Sequence, residues 1–526
     1  MQRVLKTLFV LINLGIAGSW AAHPPFTATK LGGNSGALGD LNSFSQLAFG
    51  PDGNLYATRT EPGQIWRFKV DTATGLLVGE ELLLDQAAAG NLVNGLAFDP
   101  SATADNLTFY YSQVSEGGKI YRVKAGPWGG TRVIKQTLLI DKIGIFGNHA
   151  TNNMTFGKNG LLYITLSGQS YAGTDEKPWT AAIGEVNLAH AAFNNPPVVI
   201  SNNDVLGDTV YTGNEPIKLF ATGLRNTDGI LQHSNGILYG TVHDPYDSDN
   251  ILNPNGIGLL YNATTRIPDL LARLERGKYY GHTNATRKQF LYFGGNPTSG
   301  VDPFEVPELP VGTKTAMDMK LVLGIDHHMC IGGLDEFVDG SLLVTYVKQD
   351  NTPVGHVEWF DLDRDGYFIH PNTGDVVLKH NYIQDQTGKV LEFGGVLDVL
   401  VTSKGWVYIA DFGYRTGDGG TGDISGLYLL KPTSVVAVRK PGTLKLVHSL
   451  VRTGKWLEVN LIEKGFLTIE ALDLKGISQT KIFAGTLSSG THLIPYTAQK
   501  LPPGVGLIRL RQLGLTQTLK IASLYE

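Results

Sequence analysis

The chain holds a single cysteine, Cys330, among 526 residues. No intrachain disulfide can form, and zinc sites built on several thiolates are excluded. The thiol is expected to be a buried structural group beside His327 and His328 rather than a nucleophile. Charge is scarce as well, at 17% of residues with a net charge of −5. That leaves no basic face for a nucleic acid. Helix signals are nearly missing, and Ile267 to Arg276 is the best short candidate. No apolar run beyond the first residues is long enough to span a bilayer.

The start of the chain reads as a targeting segment. Met1 to Lys6 is basic, Thr7 to Gly18 is apolar, and Ser19-Trp20-Ala21 offers small residues for a signal peptidase. Residues 1–21 are therefore expected to be a signal peptide, with the mature chain starting near Ala22 or His23. The expected location is secreted or cell-surface, with the periplasm as the alternative.

What the sequence has in quantity is glycine, 65 residues, arranged with a purpose. Six times an apolar run is followed by a polar turn and a second run rich in Tyr or Leu. The copies are LAFGPDGNLYAT from Leu47, LAFDPSATADNLTFYY from Leu96, MTFGKNGLLYIT from Met154, ILQHSNGILYGT from Ile230, LDEFVDGSLLVT from Leu334 and LDVLVTSKGWVYIAD from Leu397. Alternation about turns such as DG, NG and KG is a β-hairpin signal. A hairpin recurring six times implies radial repetition, each unit burying its faces against its neighbours. The fold class is all-β: a six-bladed β-propeller over residues 22–435, then a small C-terminal β-sandwich over 436–526. The hairpins are unevenly spaced, so long insertions sit in the middle of the chain, where functional loops tend to lie.

Three polar clusters adjoin hairpins at a prospective channel mouth. Gly147 to Asn153 contains His149, which could act as a general base because imidazole titrates near neutrality. Ala221 to Gly229 contains Arg225, whose planar fork suits a carboxylate, and Asn226, a donor and an acceptor. Val242 to Asn250 carries Asp244, Asp247 and Asp249 around Pro245, a loop suited to a hard cation or to a solvated turn. Phe360 to Gly366 begins like a calcium loop but has Asn372 where a closing Glu belongs, and reads as a tight turn. Aromatics from Tyr279 to Phe293 could stack on a sugar or belong to the core.

Together these clusters resemble the glucose/sorbosone dehydrogenase superfamily, six-bladed propellers that include soluble quinoproteins using pyrroloquinoline quinone (PQQ) and calcium. The resemblance covers roughly residues 40–432. It rests on His149 before MTFGKNGLLYIT, on GLRNTDG, on Val242 to Asp249 and on Tyr279-Tyr280-Gly281-His282-Thr283. It implies His149 as the base toward an anomeric hydroxyl, and Arg225, Asn226 and Lys348 as cofactor contacts. It implies calcium at the loop of Asp244, Pro245 and Asp249, with an aldose or related sugar as substrate. The chain departs from the family at Gly168, where an Asp stands, and at Gly395 and Leu397, where paired arginines stand. His327, His328, Lys404 and Arg415 are candidate replacement cations. The alternatives are a non-catalytic propeller that binds a glycan or protein at the channel mouth, and a calcium-dependent hydrolase of similar shape.

The last stretch, with FLTIEALDLKG, AGTLSSGTH, LPPGVGLIRLR and TLKIA, resembles the sorting domains of bacterial type IX secretion and related immunoglobulin-like modules. That resemblance implies secretion machinery as a partner.

Overall fold

A computed structural model describes residues 23–31, 43–87, 92–114, 118–143, 153–168, 176–200, 215–243, 269–282, 284–287, 289, 321–324, 330–347, 355–363, 365–368, 381–413, 425–433, 456–461, 465–472, 478–487, 490–495, 505–512 and 515–522. All six hairpins form, each pairing its two runs antiparallel. Each then opens a separate sheet, and the six sheets are the blades of a propeller.

Blade 1 is Phe44–Phe49, Leu55–Arg59, Gln64–Val70 and Leu77–Asp85. Blade 2 is Val93–Phe98, Leu107–Gln113, Lys119–Ala125 and Val133–Asp141, with Val198–Val199 added in parallel at its rim. Blade 3 is Met154–Phe156, Leu162–Leu166, Ala182–Val186 and Ile217–Thr222. Blade 4 is Ile230–Gln232, Leu238–Val242, Leu270–Leu274 and Val322–Gly324. Blade 5 is Ile331–Glu336, Leu342–Tyr346 and His356–Phe360, flanked by bridges from Tyr382 and Phe393. Blade 6 is Val396–Val401, Val407–Asp411 and Gly426–Pro432.

Blade 6 takes its outermost strand from the other end of the chain, since Phe26–Lys30 pairs antiparallel with Gly426–Pro432. The first strands of the six blades touch in sequence, and that of blade 6 returns to that of blade 1. The ring is thereby closed, which removes free edges between blades.

The hairpins hold because the repeated residues do the same local work. In LYAT the Tyr56 hydroxyl donates to the Asp52 carboxylate in its own turn at 2.9 Å. Asn159 donates to Tyr163 at 2.9 Å and Asn235 to Tyr239 at 3.0 Å in the same way. The same turn residues also accept backbone amides two residues on, fixing the reversal. Gly53 sits at φ +76°, the left-handed region that such turns require.

Apolar residues between the runs form the layers between blades. One cluster joins blades 1 and 2 through Tyr56, Phe109 and Val123, and another joins blades 2 and 3 through Tyr110, Ile164 and Leu219. Others join blades 5 and 6 through Trp359 and Val399, and blades 6 and 1 through Tyr408 and Phe44.

Buried carboxylates stitch the same seams. Asp398 of blade 6 accepts the Leu47 amide of blade 1 at 2.8 Å, and Asp335 of blade 5 accepts the Val401 amide of blade 6 at 2.6 Å. Gly333 lets blades 5 and 6 meet closely, because a Cβ there would overlap the Asp398 carboxylate.

Two expectations are corrected. Leu270–Leu274 is a strand, not the helix expected over Ile267 to Arg276, because it pairs with Leu238–Val242 inside blade 4. Cys330 is partly exposed rather than buried, with φ +48° just before blade 5.

The chain divides into two compact units, Met1–Asp361 with His370–Ala437 and Leu362–Ile369 with Val438–Glu526. In the second unit, Trp456–Leu461 pairs with Gly490–Pro495. A four-stranded antiparallel sheet runs in the order Ser478–Leu487, Gly465–Leu472, Val505–Gln512 and Leu515–Ala522.

Candidate functional site

Within each hairpin, antiparallel pairing puts the start of the first run beside the end of the second. In blade 3, Met154 faces Ile164 while Phe156 faces Leu162 next to the turn. Residues just before a first strand and just after a second strand therefore share the end of the ring opposite the hairpin turns. Blade 3 places Asn153, Ser167 and Gly168 there. Blade 4 adds Arg225, Asn226, Asp228 and His243, blade 5 adds Cys330, and blade 6 adds Gly394, Gly395 and Asp411.

Blade 4 supplies the densest part of this end. The His243 amide donates to the Asn226 carbonyl at 2.8 Å, joining the two clusters that sequence placed apart. The His243 ring Nε2 lies 2.8 Å from Asp228 Oδ2 and 2.7 Å from the Ile331 carbonyl. Burial alone would lower the imidazole pKa, but the Asp228 carboxylate outweighs it and holds the ring well above its usual range.

Asn226 is 6% exposed and its Oδ1 accepts from the Ser167 hydroxyl at 3.4 Å. Arg225 is 3% exposed, and its carbonyl accepts the Gly168 amide at 2.5 Å. Asn153 donates to the Asp228 carbonyl at 2.8 Å, tying blade 3 to blade 4.

Behind Gly168 lies a pair that sequence reasoning missed. Glu176 Oε1 is 2.9 Å from His282 Nε2, and both side chains are fully buried. The Thr180 hydroxyl also donates to the Glu176 carboxylate. A Cβ on Gly168 would stand 2.9 Å from Glu176 Oε1 and 2.7 Å from the Arg225 carbonyl. Glycine at 168 therefore leaves room for a carboxylate supplied from Glu176.

Tyr279 and Tyr280 are also buried, their hydroxyls donating to the Gly281 and Arg273 carbonyls at 2.5 Å. They are core residues rather than a sugar platform.

Blade 6 builds the opposite kind of corner. Asp411 accepts the amides of Gly394, Gly395 and Gly413 at 2.8, 2.7 and 2.9 Å. Burial raises its pKa, against the lowering effect of those amides. A carboxylate in a glycine cradle occupies the region where the resemblance would put two arginines.

Lys404 is no replacement, because it lies in the hairpin turn at the far end and donates to the Thr72 carbonyl at 2.6 Å. Asp363 is a turn residue, accepting the Asp365 and Tyr367 amides at 2.9 and 2.8 Å. His149, Asp244, Pro245, Asp249, His327, His328, Lys348 and Arg415 lie outside the described residues. Among the described residues no group of three or more His, Cys, Asp and Glu is placed to hold a metal ion. No helix among them is long and apolar enough to cross a membrane.

These residues can be tested against a quinone bearing three carboxylates. On the blade 4 side they suit it, with a guanidinium and an amide adjacent in the chain. On the blade 6 side they do not, since the backbone amides there already serve Asp411.

No family model matches the chain, and no curated protein matches it. Among solved structures it is similar to the PQQ domain of pyranose dehydrogenase from Coprinopsis cinerea, in its holo form. That match has 12% identity, covers 77% of this chain and 95% of the other, and has a TM-score of 0.51. The PQQ-bound aldose sugar dehydrogenase of Streptomyces coelicolor matches with 14% identity over 78% of this chain and 99% of that one, TM-score 0.45. A putative glucose dehydrogenase from Thermus thermophilus matches with 16% identity over 77% and 100%, TM-score 0.44. At 12% identity the first of these likenesses is one of fold alone, in keeping with the six blades.

Proposed function

We propose that the protein is an exported, sugar dehydrogenase-like quinoprotein that oxidises an aldose or related sugar at its anomeric carbon, with PQQ and calcium. The observation that supports this most is the placement of Arg225 and Asn226. They stand together at the end of the ring opposite the hairpin turns, beside His243, whose imidazole Asp228 holds above its usual range. In this reading Arg225 and Asn226 hold the cofactor, and the quinone when bound supplies a two-electron acceptor. His243 adds positive charge to an end otherwise rich in carboxylates. His149 as base, Lys348 as a further contact and the Asp244, Pro245 and Asp249 loop as the calcium site belong to the same proposal.

The test is reconstitution of the purified protein with PQQ and calcium. The expected result is a bound quinone absorbance and sugar-dependent reduction of a dye. No quinone retained at saturating cofactor would remove the dehydrogenase reading.

A second reading has an observation of its own. The Asp411 cradle, in place of two arginines, favours a propeller without cofactor that recognises a glycan or a protein at the same end. Sugar or glycan binding to the cofactor-free protein, with no dye reduction under any cofactor, would select it.

For residues 436–526 we propose a sorting role that engages secretion machinery. Deletion of that stretch should block export or surface attachment, and unchanged secretion would rule the role out.

A further inference from the structure

The strand that closes the ring is preceded by His23-Pro24-Pro25, and His23 is seated with care. Its ring lies flat on the Trp359 indole, centroids 4.0 Å apart and planes within 3°. Nδ1 is 3.6 Å from Asp339 Oδ2, and Nε2 is 3.4 Å from Asp361 Oδ1. Trp359 is in the third strand of blade 5, Asp361 follows that strand, and Asp339 is in the hairpin turn of the same blade. Asp339 is itself fixed, accepting the Ser341 amide at 2.9 Å and the Ser341 hydroxyl at 2.6 Å. Among the described residues, those two carboxylates are the charged groups that face the ring.

Just downstream the chain is tied to both neighbours. Pro25 accepts the Thr433 amide at 2.9 Å, and the Phe26 amide donates to the Gln384 carbonyl at 2.8 Å. His23 thus sits where the last strand of blade 6 is anchored against blade 5.

We infer that protonated His23 is a latch, which fastens the ring-closing strand to blade 5 and loosens it when the proton is lost. Burial alone would lower the imidazole pKa, but Asp339 and Asp361 outweigh it and raise it from 6.5 to about 9. A raised imidazole contributes stability that is fully present below its unfolded pKa of 6.5 and disappears as pH rises through about 9. A flat aromatic ring in the same place would keep the stack on Trp359 and lose the ion pairs. The charge, and not the stack, is what the latch adds.

The test follows trypsin cleavage after Lys30, inside the closing strand, in the full-length protein, with a short peptide correcting for the protease's own pH dependence. Cleavage of a folded strand reports its local opening. His23→Phe should be cut about tenfold faster than wild type at pH 7.5, and the two rates should converge near pH 10. Asp361→Asn, which leaves the ring in place, should move the wild-type transition to lower pH. Equal rates at pH 7.5, or a gap that persists unchanged at pH 10, would overturn the latch. If His23→Phe does not fold, the shift in Asp361→Asn decides alone, and a transition that stays at the wild-type pH rejects the proposal.

Discussion

Single residues carry the seams of this ring, and their protonation makes them measurable. Burial lifts the Asp335 carboxyl to about 7, against the Val401 and Glu336 amides that lower it. With a folded pKa above the unfolded one, the folded state binds more protons between roughly pH 4 and 7, so stability falls as pH rises across that window. Asp335→Asn keeps an oxygen for the Val401 amide and should flatten that slope, as read by denaturant midpoints at pH 4.5 and 7.5. Arg67 is a second such residue. Fully buried, it pairs with Glu81 and donates to the Gly126 carbonyl at 3.0 Å, linking blade 1 to blade 2. Arg67→Met should cost about 3–5 kcal/mol by leaving Glu81 only the exposed Arg132, 3.8 Å away, measured by chemical unfolding. Residues also limit modification. The sequence carries four sequons, at Asn106, Asn153, Asn262 and Asn284; Asn153 and Asn284 are buried at 6% and 0% exposure, and Asn262 lies outside the described residues. In a glycosylating host, glycan should therefore appear at Asn106 and not at Asn153 or Asn284, by peptide mass mapping.

At the scale of elements, the hairpin is the unit, and its turn chemistry is testable. Asn159 both accepts the Leu161 amide at 3.1 Å and donates to the Tyr163 hydroxyl. Asn159→Ala removes both bonds and should destabilise by about 1–3 kcal/mol in thermal unfolding. Hairpins were legible in the sequence because everything that specifies them lies within about a dozen residues: alternation, the turn, and the Tyr that returns to it. The run LLARL at Leu270 was not, since a short apolar run has no period that separates strand from helix. Only its partner Leu238–Val242 decides. The candidate site divides the same way. Arg225, Asn226 and Asp228 stand out as one short polar cluster, and His243 as another. Their union through the Asn226–His243 bridge depends on strand register. The Glu176–His282 pair joins residues more than a hundred positions apart, and no local pattern announces it.

For the whole molecule, the repeated hairpins announce the number of blades but not how the ring is shut. Closure pairs Phe26 with Pro432 and Lys30 with Tyr428, across nearly the full length of the propeller. Closure also has a meaning in time. Among the described strands of the propeller, Phe26–Lys30 is the first to be synthesised and the last that can be placed, because its partner emerges some four hundred residues later. At about 5–20 residues per second that wait is on the order of tens of seconds. Through that interval the ring can be at most an open arc of five blades and part of a sixth. The segment beginning at His23 must stay unpaired until the chain has delivered Gly426–Pro432 to receive it.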